Sequence, residues 1–159
     1  PEMWRGTTLE MGNILKIFDI IRKSGGKILF FSDTCHGGAV TERIAYRWRG
    51  GAEDLDSQRL IKWLSGKGRV IITASGAGGK SIESDKYKHG LFTYFLLKGL
   101  KGEADKKENG GNDDGWVDID ELYKYTYKKV VEESGGRQNP KKDSQGVEGV
   151  IYLSKVECP

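Results

Sequence analysis

Asp33, Cys35 and His36 fall within four consecutive residues of the stretch KILFFSDTCHGGAV, directly after the apolar run Ile28-Leu29-Phe30-Phe31. A cysteine attacks a carbonyl carbon only as the thiolate, which calls for a base or a positive charge close to the sulfur. A strand that ends beneath such a residue fixes its backbone and leaves its side chain at the rim. In open α/β sheets that rim, at the carboxyl ends of the strands, is where loops converge on ligands. The chemistry these types suggest is covalent attack on an acyl group by Cys35. Two plainer arrangements compete with it: a buried cysteine packing as a small hydrophobe, and Asp33 as a turn residue bonded to nearby backbone.

The elements that would hold these residues are legible as periodic patterns. Thr7-Thr8-Leu9-Glu10 reads as a capping box opening a helix over residues 8–23, with Leu9, Ile14, Ile17, Phe18, Ile20 and Ile21 mainly on one face. Gly25-Gly26 ends that helix, and residues 27–32 form the strand that leads to Cys35. RVIITAS (69–75) and GVIYLS (149–154) read as two more buried strands, and DSQRLIKWLS, GLFTYFLLKGL and DIDELYKYTYKKVVEE as further helices. Strands alternating with helices, each strand apolar on both faces, predict an α/β fold whose mostly parallel sheet is covered by helices on both faces. Residues 37–54 and 101–115 are glycine-rich, charged and long for connections, and so are expected to be loose.

At 159 residues the chain has the size of one domain, 1–159, with a core of its own. A net charge of +3 spread over interspersed acids and lysines gives no footprint for nucleic acid, and no apolar run is long enough for a membrane helix. Two cysteines, Cys35 and Cys158, make no disulfide framework and fit a reducing, cytoplasmic (intracellular) compartment. Within GGNDDGWVDIDE, Asn112, Asp114, Asp118 and Glu121 fall at the third, fifth, ninth and twelfth places of a calcium loop. Gly110 stands at the first place, where an Asp is the rule. The alternative for this segment is an acid-rich helix start near Asp118.

Taken together, FFSDTCHGG, IITASGAGGKSIES, KHGLFTYFLLKGLKGEAD, DGWVDIDELYKY and RQNP resemble, in order, the motifs of the caspase-like cysteine peptidases. The metacaspase and bacterial caspase-homologue branch is the most similar. The resemblance runs from about Thr7 to Asn139 and implies the three-layer sandwich of that family, with Cys35 as nucleophile. It implies that Asp33 lines the pocket for the side chain preceding the scissile bond, and that Ser75 lies along the substrate backbone. Caspases proper carry Gln where this chain has Asp33 and cut after Asp; a carboxylate there selects Arg or Lys instead.

In the family the base lies in a His-Gly motif about 50 residues before the Cys. Neither His36 nor His89 occupies such a position. The chain therefore reads as the C-terminal portion of a peptidase domain, with the base and part of the oxyanion hole on a preceding segment or a separate chain. The expected activity is that of a cysteine endopeptidase acting on protein or peptide substrates after Arg or Lys. Arg43, Arg47 and Arg49 are candidate self-cleavage points, since the family often matures by cutting its own loops. No cofactor or metal is expected, although some metacaspases are calcium-activated. The alternatives are a catalytically inactive homologue acting as scaffold or regulator, and a calcium-responsive binding module built on residues 110–121.

Overall fold

The structure, a computed structural model, describes residues 11–33, 69–75, 83–84, 87 and 89–156. Its first element is helix α1, Met11–Lys23. The helix ends as the sequence predicts: Gly25 adopts a left-handed φ of 75°, and the Gly26 N–H returns to the Ile21 carbonyl at 3.0 Å. Phe18 is buried and meets Phe30 edge-on, ring centres 5.4 Å apart. Ile17 and Ile20, expected on the same covered face, are 50% and 67% exposed. The apolar stripe of α1 is thus wider than its contact with the sheet.

Strand β1, Ile28–Ser32, pairs in parallel with β2, Arg69–Thr73, placing Phe30 beside Ile71 and Ser32 beside Thr73. The third strand of this sheet is Lys141–Gln145, antiparallel to β2. Between them lie a short ladder of Glu83–Ser84 (β3) and His89–Gly90 (β4), helix α2 (Leu91–Lys98) and the three-residue strand β5 (Trp116–Asp118). Helix α3 (Ile119–Ser134) follows, so Lys141–Gln145 is β6, and β7 is Tyr152–Lys155. The described strands form a small mixed sheet in the order β1-β2-β6, together with the two-stranded pairs β3-β4 and β5-β7.

Two expectations change here: the mostly parallel sheet, which is mixed because β6 runs antiparallel to β2, and the strand read at 149–154. The apolar run at 149–154 does not enter the main sheet. Its strand starts at Tyr152, pairs with β5, and leaves Tyr152 and Val150 exposed, with the Tyr152 and Trp116 rings 5.8 Å apart. The place beside β2 goes instead to KKDSQ, a polar segment that an apolar pattern cannot reveal. At the edge of the described sheet, it gains its stability from backbone pairing with β2 and needs few buried side chains.

Helices meet both faces of the sheet. Side chains alternate along β2: Ile71 shares its face with Phe30 and hence with α1, whereas Val70, Ile72 and Ala74 face the opposite way. Those three join Leu91, Phe92, Phe95 and Leu96 of α2, and Ile119, Leu122, Tyr125 and Val130 of α3, in one core. Full burial of side chains such as Leu91 and Phe92 stabilises the fold by roughly 1.5–3 kcal/mol each.

The segment 101–115 is not loose. Gly99–Glu103 continues α2 as a wider turn, Lys107–Asn109 forms a short tight one, and Ala104 and Asp105 are buried. The Asp105 carboxylate accepts from the N–H groups of Asp114 at 3.0 Å and Gly115 at 3.1 Å, tying the loop closed. One carboxylate in the right place replaces the apolar contacts that the sequence lacks there.

Candidate functional site

Beyond the last residue of β1 stands Asp33, partly exposed, at the carboxyl edge of the parallel pair. The edge is knitted by backbone: the Ala74 N–H donates to the Ser32 carbonyl at 2.8 Å, so β2 stays beside β1 one residue past the ladder. The Thr73 hydroxyl then donates to the Ser75 carbonyl at 2.9 Å. On the other side, the Gln138 side-chain amide donates to the Ala74 carbonyl at 3.1 Å. Gln138 is buried and is itself held by the Ser134 hydroxyl, which accepts from its N–H at 3.1 Å. The turn after α3 is thereby fixed against the end of β2.

The Asp33 carboxylate has a definite partner. Its Oδ2 accepts from the Thr93 hydroxyl at 2.6 Å and from the Thr93 N–H at 3.3 Å. Thr93 lies in the first turn of α2, whose N-cap residue is Gly90 and supplies no side-chain cap. The first N–H groups of a helix need acceptors and favour negative charge. Asp33, 60 residues before Thr93, provides both in place of a local cap. Gly90 makes the approach possible: a Cβ on it would lie 2.3 Å from Asp33 Oδ2. The local-turn alternative for Asp33 is thus joined by a long-range capping bond, one that holds the end of β1 to the start of α2.

Of the residues expected at the site, Asp33 is at this edge, and Ser75 is at the adjacent strand end but only 1% exposed. In this arrangement Ser75 offers a ligand almost no surface. Cys35 and His36 lie outside the described residues, as do the self-cleavage candidates Arg43, Arg47 and Arg49. His89 pairs through its backbone with Ser84 in the short β3-β4 ladder, immediately before the Gly90 cap. Thr93, Gly90 and Gln138 join the site although the sequence motifs that contain them point to no role for them. A signal for the first two was present: a helix that begins at Gly has no cap of its own, and a Thr three residues on can offer both N–H and hydroxyl to an acid arriving from elsewhere.

The acidic segment resolves toward a helix start. Asp118 caps α3, accepting from the N–H groups of Asp120 at 2.7 Å and Glu121 at 2.8 Å, while Glu121 returns to the Asp118 N–H at 3.1 Å. The other Glu121 oxygen accepts from Asn112 N–H, and Asp114 accepts from Trp116 N–H, each at 2.9 Å. These carboxylates converge on backbone donors. Among the described residues no cluster of three or more His, Cys, Asp or Glu is placed to hold a metal ion. No described helix is long and apolar enough to cross a membrane.

Buried charge lies at the opposite end of β2. Arg69, 2% exposed, has one acceptor, Asp143 on β6, at 3.2 Å from Nη2. Burial lowers its guanidinium below the ordinary value, and Asp143 partly offsets that shift. Its Nε and Nη1 meet no acceptor among the described residues. This pair stands away from Asp33 and belongs to the closure of the sheet.

Compared with protein-family models, with curated proteins and with solved structures, the chain matches none.

Proposed function

We propose that this chain carries the nucleophile-bearing part of a caspase-like cysteine endopeptidase that cuts after Arg or Lys. The observation that carries the reading is the place of Asp33. It is a partly exposed carboxylate at the carboxyl edge of a parallel strand pair, two residues before Cys35 in sequence and anchored by Thr93. A carboxylate held in a defined orientation at a rim suits a guanidinium or ammonium group and repels acids. The edge of β1 supports the missing-segment part of the reading. Among the described strands β1 pairs on one side only, and Leu29 on it, with Ile17 and Ile20 on α1, remain exposed. Such an edge suits a further strand from the segment or chain that supplies the catalytic His.

In the proposed reaction that His takes the proton from Cys35, and the sulfur adds to the carbonyl carbon of the residue held by Asp33. The Cys35 N–H and the N–H of the Gly in the His-Gly segment receive the oxyanion. The C–N bond breaks as the His returns the proton to the leaving amine, and a thioester remains. Water, giving its proton to the His, attacks the thioester and releases the acid and the thiol.

The test is incubation of the full-length protein with an Arg-chloromethylketone, followed by mapping of the modified residue. An adduct on Cys35, lost on competition with Arg peptides, is the expected result; its absence overturns the reading. A second reading, an inactive homologue acting as scaffold or regulator, is favoured by one observation: the Asp33 carboxylate already serves to cap α2. That reading predicts no adduct and a fold that still depends on Asp33.

A further inference from the structure

Thr93 and Gly90 are parts of the start of α2. Their contacts are with a side chain that the proposed reaction uses, and that changes what they do. Oδ2 of Asp33 takes two donors from one residue, a hydroxyl at 2.6 Å and an N–H at 3.3 Å. Two donors on one oxygen fix the carboxylate plane, where a single one would let it turn about the bond. The absent Cβ of Gly90 lets that oxygen settle against the backbone, since a Cβ would stand 2.3 Å from it.

From this we infer that Thr93 is a positioning residue that sets the plane of the Asp33 carboxylate and so favours the forked guanidinium of Arg over the ammonium of Lys. The inference rests on the basic-pocket reading of Asp33. An Arg guanidinium presents two parallel N–H groups and needs a carboxylate in matching orientation; a Lys ammonium is a point charge with rotatable donors and tolerates a tilted one. Loss of the Thr93 hydroxyl therefore costs Arg recognition more than Lys recognition. A purely structural contribution to α2 would weaken both alike. Gly90 acts in the same arrangement as the space that admits Oδ2, and a larger residue there would push the acid off Thr93.

The test uses full-length protein carrying Cys35→Ala, so that binding is read without turnover, and two small probes: agmatine for the guanidinium and cadaverine for the ammonium. Calorimetric titration gives both affinities in this background and with Thr93→Val or Thr93→Ser added. Valine keeps the branched shape and removes the hydroxyl, and serine restores it. The expected result is agmatine binding weakened about 10-fold by Thr93→Val, the size of one charge-assisted hydrogen bond. Cadaverine binding changes far less, and Thr93→Ser recovers the agmatine affinity. Equal losses for the two probes, or none, overturn the inference while leaving the pocket intact, provided that Asp33→Asn abolishes agmatine binding. If Asp33→Asn binds agmatine as strongly as the Cys35→Ala parent does, the pocket reading falls and this inference falls with it. Thermal melts of each variant accompany the titrations. If Thr93→Val unfolds the protein, the Thr93→Ser variant and a more conservative Thr93→Cys decide the same ratio.

Discussion

Tyr125 sits in the core on α3, its ring centre 6.4 Å from that of Phe95, and only 3% of its surface reaches solvent. Burial first, then the negative charge of Glu103 and the neighbouring Tyr94, push its phenol up to about 12. The folded protein therefore keeps this proton at pH values where the unfolded chain has lost it. Its contribution is fully present below the ordinary tyrosine value and is lost as pH rises toward about 12, and two such pKa units correspond to roughly 2–3 kcal/mol. Tyr125→Phe keeps the ring contacts and removes the proton, so its urea midpoint should fall less steeply than that of wild type across the alkaline range. Parallel curves for the two proteins would refute the assignment. Other contacts at this scale were beyond the reach of sequence. The residue type at Asp33 suggests a pocket or a turn, but its bond to Thr93 spans 60 residues and depends on how the sheet and α2 meet. Arg69 and Asp143 are likewise paired by strand register, which a linear pattern does not encode.

Helix starts divide the elements into those readable in sequence and those that are not. The start of α3 carries its own cap, with Asp118 three residues before Glu121, and both bonds of the reciprocal box form. Its near boundary was legible for that reason. The start of α2 has no side-chain cap of its own, so the apolar run GLFTYFLLKGL showed the helix but not what secures its end. β6 shows the limit in strands: a five-residue polar segment pairs with the most buried strand because backbone groups need partners whatever the side chains are. The turn 105–115 gives a prediction at this scale. Asp118→Ala should cost about 1 kcal/mol, an ordinary lost cap. Asp105→Ala, which removes a buried carboxylate, leaves the half-buried Gly115 N–H without its acceptor and leaves the Asp114 N–H with Asn112 Oδ1 alone, should cost about 2 kcal/mol. Urea denaturation of both variants ranks them; a smaller loss for Asp105→Ala would mean that water replaces its bonds.

For the whole molecule, periodicity indicated an α/β chain with a mostly parallel sheet covered by helices on both faces; the described residues are α/β with helices against the sheet, but that sheet is mixed, one pair parallel and one antiparallel. The strand order was not legible, because it follows from which polar segment pairs beside β2. The proposed self-processing belongs to this scale. Intact-mass analysis of the full-length protein should show fragments ending at Arg43, Arg47 or Arg49 in wild type and an uncut chain in Cys35→Ala. The same fragments from both proteins would assign the cuts to another protease.

The register of the central ladder has one more consequence. Arg69 is joined on one side to Ile28 and on the other to Gln145, and Ala74 is held by Gln138. A chain emerging from the ribosome thus holds β2 without its β6 partner until the turn at Gln138 and the strand Lys141–Gln145 have been synthesised. Closure of that flank waits on residues far downstream in the chain.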